Sequence, residues 1–148
     1  MTSIDDGFLY YEREYAGEPG ERVLSIPAGI GSKDALLAAL DGAAHFPYFG
    51  WNWDALDECL RDLQWIPENR IVVRHADLPL KNEPDECAIY LDILKSAIQD
   101  WARDERGPAL RKQFPDLIYV EHTLVAVFPV AVRLDIETMM APARRAEL

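Results

Sequence analysis

Two carboxylates one helical turn apart, Asp54 and Glu58, stand with Asp57 and Asp62 close by and follow directly on an aromatic loop, His45-Phe-Pro-Tyr-Phe-Gly-Trp51. A pair of acids at i, i+4 can support acid/base chemistry of the glycosidase kind, or it can present fixed negative charge to a cation. The crowding of four acids suits a cation better than a sugar. Tyr48, Phe49 and Trp51 beside these acids have the composition of a binding hot spot for an Arg-rich or Lys-rich surface. The bland reading of the same loop is aromatic packing onto its own core.

Other chemistries lack their motifs. Gly29-Ile-Gly31 precedes a helix, but the third glycine of a GxGxxG phosphate cradle would fall on Asp34. His45, His75 and His122 are dispersed without HExxH or HxH spacing, and read as one loop histidine and two strand-end histidines hydrogen-bonded locally. Cys59 and Cys87 form no CxxC pair and are too few for a disulfide scaffold. They read as reduced, buried thiols, Cys59 lying beside an apolar helix stripe. The sequence therefore carries no expectation of a catalytic residue, a metal or a cofactor. A hydrolase built on Asp54 and Glu58 would need a histidine, His45 being nearest, within reach of a carboxylate in a concave pocket.

The elements that must position these residues follow from length and periodicity. The chain has 148 residues, 49% of them apolar, with 15 basic against 26 acidic side chains and a formal net charge of −11. That describes one globular domain over 1–148, with a core at about 22–129 and extensions at 1–20 and 131–148. Apolar runs of a few residues exclude a membrane span. The negative charge repels phosphate backbones and anionic lipid, which disfavours direct nucleic-acid or membrane binding and favours a basic partner. The segment Met1–Asp6 is acidic and lacks the pattern of a secretory signal, so a cytoplasmic location and a monomer are the expectation.

Residues 8–15 read as a half-exposed strand and 22–26 as a short buried one. Ser32 caps a helix over 32–44 carrying Leu36, Leu37, Leu40 and Ala44. Asn52 caps an amphipathic helix through Leu63, with Trp53, Leu56, Leu60 and Leu63 inward and Asp54, Asp57, Glu58 and Arg61 outward. Residues 70–75 form a buried strand. A long helix runs from Pro84 and ends by Gly107-Pro108, with Trp101 on its apolar stripe. Residues 117–120 and 123–128 are strand-like, and the tail from Ala141 reads as frayed. This order implies right-handed crossovers and a small parallel α/β sheet covered by helices.

The run Phe46-Pro-Tyr-Phe-Gly-Trp-Asn-Trp-Asp-Ala-Leu-Asp-Glu-Cys-Leu60 closely resembles the signature of the barstar family, inhibitors of extracellular ribonucleases of the barnase type. Weaker similarity extends from about Val23 to Phe128. The resemblance implies an α/β fold with a three-stranded parallel sheet, here with an extra strand-like N-terminal segment, and a non-catalytic protein that plugs a ribonuclease active site. It places the main contacts at Tyr48, Asp54 and Glu58, gives Gly50 and Asn52 the shaping of the loop, and matches Cys59 to a family cysteine. Phe49, Trp51 and Asp57 adjoin these contacts, and Asp100 corresponds by position to a third family acid. Two departures stand out. Glu58 replaces the usual aspartate and is preceded by the additional acid Asp57, and the chain is longer than the compact members at both ends. The expected partner is a basic extracellular or toxin ribonuclease. The alternatives are an immunity protein of the same fold against a different nuclease, or the small hydrolase described above.

Overall fold

Side-chain caps set where the helices begin. In the computed structural model, which describes residues 7–103 and 106–141, Ser32 Oγ accepts from the Ala35 N–H at 3.1 Å and opens α1 (Lys33–Ala44). Asn52 Oδ1 accepts from the Ala55 N–H at 2.7 Å and opens α2 (Trp53–Asp62). Both helices end on a residue in the left-handed region, His45 and Leu63, whose N–H groups bond back to Asp41 and Cys59. Leu63 thus leaves the helix expected to contain it, and its complete burial compensates for the unfavourable backbone. The long helix α3 spans Pro84–Ala102 with proline in its first turn.

The strands β1 (Phe8–Tyr11), β2 (Glu21–Ile26), β3 (Arg70–His75) and β4 (Thr123–Pro129) form one sheet in the order β1-β4-β3-β2, every pair parallel. The α/β class is as expected, and the N-terminal segment joins the sheet as a fourth strand. From β2 to β3 to β4 the chain moves one way across the sheet, so right-handed crossovers put the helices on one face. There Leu24, Ile26, Ile71, Val73, Leu124, Ala126 and Phe128 meet the buried sides of α1, α2 and α3. The step from β1 to β2 runs the other way, and the same handedness sends it behind the sheet. Residues 12–20 accordingly cross the back, where Tyr11 and Tyr15 cover Leu9, Val72, Val125 and Val127. Arg74 donates to the Tyr15 carbonyl at 2.5 Å, and the Tyr15 hydroxyl donates to Glu21 at 2.7 Å.

Several expectations are corrected. The strand expected over 8–15 stops at Tyr11, and its side chains are buried on both faces, Phe8 and Tyr10 in the main core and Leu9 in the small cluster behind the sheet. Residues 117–120 are not a strand. The Gln64 side-chain amide pairs with both backbone groups of Val120, at 2.8 and 2.9 Å, where a neighbouring strand would have paired, and Ile118 is 87% exposed. The long helix does end ahead of Gly107-Pro108, at Ala102, but these two residues lie in the first turn of a further helix that was not expected, α4 (Arg106–Gln113), a place where proline is tolerated. A side chain at Gly107 would displace the Glu121 carboxylate and crowd Tyr119. After β4 a short 3-10 turn, Val130–Val132, leads into α5 (Arg133–Met139), and Val132 and Ile136 join the main core. The expected frayed tail beyond Ala141 and the segment Met1–Asp6 lie outside the described residues.

The histidines read as locally bonded instead tie distant elements together. His75 is wholly buried at the end of β3, stacked on Phe128 at 4.0 Å. Its Nδ1–H donates to the Val127 carbonyl at 3.0 Å, and its Nε2 accepts from the Tyr90 hydroxyl at 2.7 Å. His122 bonds through Nε2 to the Leu63 carbonyl at 2.7 Å. Burial holds the His75 pKa down at about 4, against 6.5 for a free imidazole. The native state thus resists a proton that the unfolded chain accepts, so this stability is complete above pH 6.5 and is lost as pH falls towards 4. At pH 4.5 it should cost roughly 2–3 kcal/mol relative to pH 7.5. Urea unfolding of wild type and His75→Gln at the two pH values checks this: the variant should be weaker at pH 7.5 and lose correspondingly less on acidification, and an equal loss in both proteins would refute it.

Candidate partner-binding face

The loop between α1 and α2 divides its aromatic residues between the core and the surface. Phe46 is the inward anchor, 4.8 Å from Phe49 and 5.9 Å from Trp65 between ring centroids. Trp65 is itself fixed by its indole N–H to the Ala44 carbonyl at 2.9 Å. Against that support Phe49 is half-buried, whereas Tyr48 is 45% and Trp51 53% exposed. The loop thus packs partly onto its own core and leaves two of its rings exposed. Trp51 holds φ +57°, an uncommon conformation for a large side chain, between Gly50 and the capping Asn52. Its ring lies 5.0 Å from that of Phe49.

Helix α2 fixes the acids relative to this loop. Leu56, Cys59 and Leu60 are buried on its inner side, and the Trp101 indole N–H donates to the Leu60 carbonyl at 2.8 Å. At its first turn Trp53 is half-buried rather than fully in the core, lying near Tyr90 and donating to Glu86 at 2.6 Å. The Cys59 thiol donates to the Tyr48 carbonyl at 3.2 Å and thereby binds loop to helix. Burial, with the charges of Glu58, Asp62 and Asp41 around it, pushes this thiol up to about 11, so it remains a protonated donor near neutral pH.

The acids fall into two groups. Asp54 and Glu58 are exposed one turn apart, and among the described residues no cation lies within ion-pair distance of either. Asp57 and Asp100, by contrast, have partners within the chain. Arg61 lies 3.0 Å from Asp57 and 3.4 Å from Asp100, and Arg106 lies 3.5 Å from Asp100 while donating to the Arg61 carbonyl. The residue that motif reading named only as a neighbour is Asp62, which accepts from the Tyr48 hydroxyl at 2.5 Å. Its spacing of four residues beyond Glu58 was the available signal, since that places it on the same helix stripe. His45 is exposed at the C-terminal cap of α1. A cavity of about 620 Å³ opens elsewhere, at the carboxyl ends of the strands between Tyr11, Ser25, Arg74 and Pro129, and none of Asp54, Glu58 or His45 lines it.

A family model described as Barstar (barnase inhibitor) matches residues 23–113, from β2 through the aromatic loop and α2 to the end of α4. The chain belongs to the barstar family. Its proteins are inhibitors rather than enzymes, with a protein nuclease as partner. The match excludes β1, β4 and α5. No match to a curated protein or to a solved structure was found. Among the described residues no helix is long and apolar enough to cross a membrane, and no three His, Cys, Asp or Glu side chains cluster as a metal site would require.

The whole barstar motif hinges on the start of α2, where Asn52 satisfies an otherwise unpaired N–H. Asn52→Ala should lower stability by about 1 kcal/mol in urea unfolding. A variant as stable as wild type would show that the cap contributes nothing.

Proposed function

We propose that the protein is a non-enzymatic inhibitor of a basic ribonuclease and acts in the cytoplasm as an immunity protein that protects its producer. Asp54 and Glu58 of α2 enter the enzyme's active site, and Tyr48 and Trp51 of the adjoining loop pack around them. The observation that carries this reading is the pair of exposed carboxylates, unpaired within the chain and held on a rigid helix beside two exposed aromatic rings. A ribonuclease cleft must be cationic to hold phosphates, so carboxylates at fixed spacing can occupy phosphate positions and form charge-assisted hydrogen bonds there. The net charge of −11 speeds encounter with such an enzyme and loses that advantage as salt rises.

Phe49, Gly50 and Asn52 support this surface from within the loop. Asp57 and Asp100 form its rim, where their in-chain arginine partners Arg61 and Arg106 already neutralise much of their charge. Glu58 reaches one methylene further than the usual aspartate, which suits an enzyme whose cations lie deeper or further apart than those of barnase.

Calorimetric titration with a barnase-type ribonuclease at two salt concentrations, with RNA cleavage measured in parallel, tests the proposal. Stoichiometric inhibition is expected, weaker at high salt. Asp54→Ala and Glu58→Ala should each cost more than about 2 kcal/mol of binding, because each leaves enzyme cations desolvated and unpaired, and Tyr48→Ala should cost less but measurably. If all three stay within about 0.5 kcal/mol of wild type, the face is not the inhibitory one. Inhibition of a different basic nuclease, with none of the ribonuclease, would favour the same-fold immunity reading instead.

A further inference from the structure

Asp62 sits where helix physics disfavours it. It is the last residue of α2, at the negative end of the helix dipole, and it follows another acid, Glu58, at the repulsive i, i+4 spacing. Among the described residues no cation pairs with it. The side-chain contact that compensates is the hydrogen bond from the Tyr48 hydroxyl, which reaches back from the loop to the far end of the helix that the loop precedes.

Tyr48 has two other restraints. Its carbonyl accepts from the Cys59 thiol, and its ring meets Trp65 edge-on at a centroid distance of 6.4 Å. Neither fixes the phenol oxygen. The bond to Asp62 does, and it also determines the oxygen's remaining capacity: a phenol has one proton, and a carboxylate can only accept, so that proton points at Asp62. Lone pairs alone are left to face outward. We propose that Asp62 is the positioning residue of Tyr48, fixing its ring on the binding face and orienting its hydroxyl so that it presents to the partner as an acceptor, matched to a cationic N–H donor and mismatched to a carbonyl or carboxylate. This rests on the inhibitory reading for the identity of the partner, but not for the pairing itself. The phenol is correspondingly harder to ionise than an ordinary tyrosine, first because it donates to Asp62 and then because it is partly buried.

The pairing can be read in the free protein by following the ring ¹³Cζ signal of Tyr48 through an alkaline titration. At pH 10.5, above the ordinary tyrosine pKa of about 10, Tyr48 should remain protonated in wild type and become substantially ionised in Asp62→Ala. An unchanged titration would overturn the proposal whether or not any nuclease binds. Unfolding midpoints should be little affected, because the substitution also removes an acid from the wrong end of a helix. Binding of the barnase-type ribonuclease then tests the consequence. Releasing one exposed ring should weaken affinity by about two- to tenfold in Asp62→Ala, and this loss should disappear when Tyr48→Phe is already present. An equal loss in both backgrounds would mean that Asp62 meets the enzyme directly, which also overturns the positioning role. Failure of wild type to bind counts against the inhibitory reading alone, and the titration still decides the pairing.

Discussion

Parallel pairing obliges every connection in this protein to travel back along the sheet before the next strand can begin, and the remaining architecture follows from how those returns are made. Three strands advance in one direction and send their helices over the front. The step that goes the other way passes behind, as an extended chain with two tyrosines laid over a small apolar patch. The front return from β2 to β3 contains two helices, and the turn between them carries the barstar motif. The segment that bears the motif is therefore built into a crossover, anchored to the core at both ends.

That placement explains why an exposed surface can be rigid. Phe46 and Trp65 form the floor under the loop, Asn52 fixes the entry to α2, and the Cys59 thiol holds the loop backbone to the helix. Trp101 and Trp53 secure the helix to its surroundings through their indole N–H groups. Little of this loop and helix is left for a partner to order. The surface is also not uniformly negative: Arg61 and Arg106 lie along one side of it, close to Asp57 and Asp100.

Local signals in the sequence were sufficient for much of this. Ser32 and Asn52 mark their helices because capping depends on a few neighbouring residues, and the β-branched run at 70–75 could only be a buried strand. The errors arose where a distant residue intervened. Residues 117–120 have strand composition, yet Gln64 satisfies Val120 from across the fold. The long helix stops before Gly107-Pro108 as expected, but a proline compatible with a first helical turn does not by itself reveal that α4 starts there. The candidate face was legible as residues but not as an arrangement: the i, i+4 spacing of Asp57 and Arg61 allows their ion pair without deciding it, and no linear motif brings the Tyr48 hydroxyl to Asp62.

The edge strand β1 has a consequence for how the chain reaches this state. Phe8 lies opposite Ala126 in the register, so the two paired strands are far apart in the sequence. On the ribosome, Phe8-Leu-Tyr-Tyr11 emerges before the other three described strands, but the neighbour it needs is the last of these to emerge. A nucleus of β2, β3 and the first helices can assemble early, whereas β1 must wait as an unpaired apolar segment until β4 is released. Its docking is thus a late step between strands distant in sequence, and until then the order of synthesis and the order of assembly run in opposite directions.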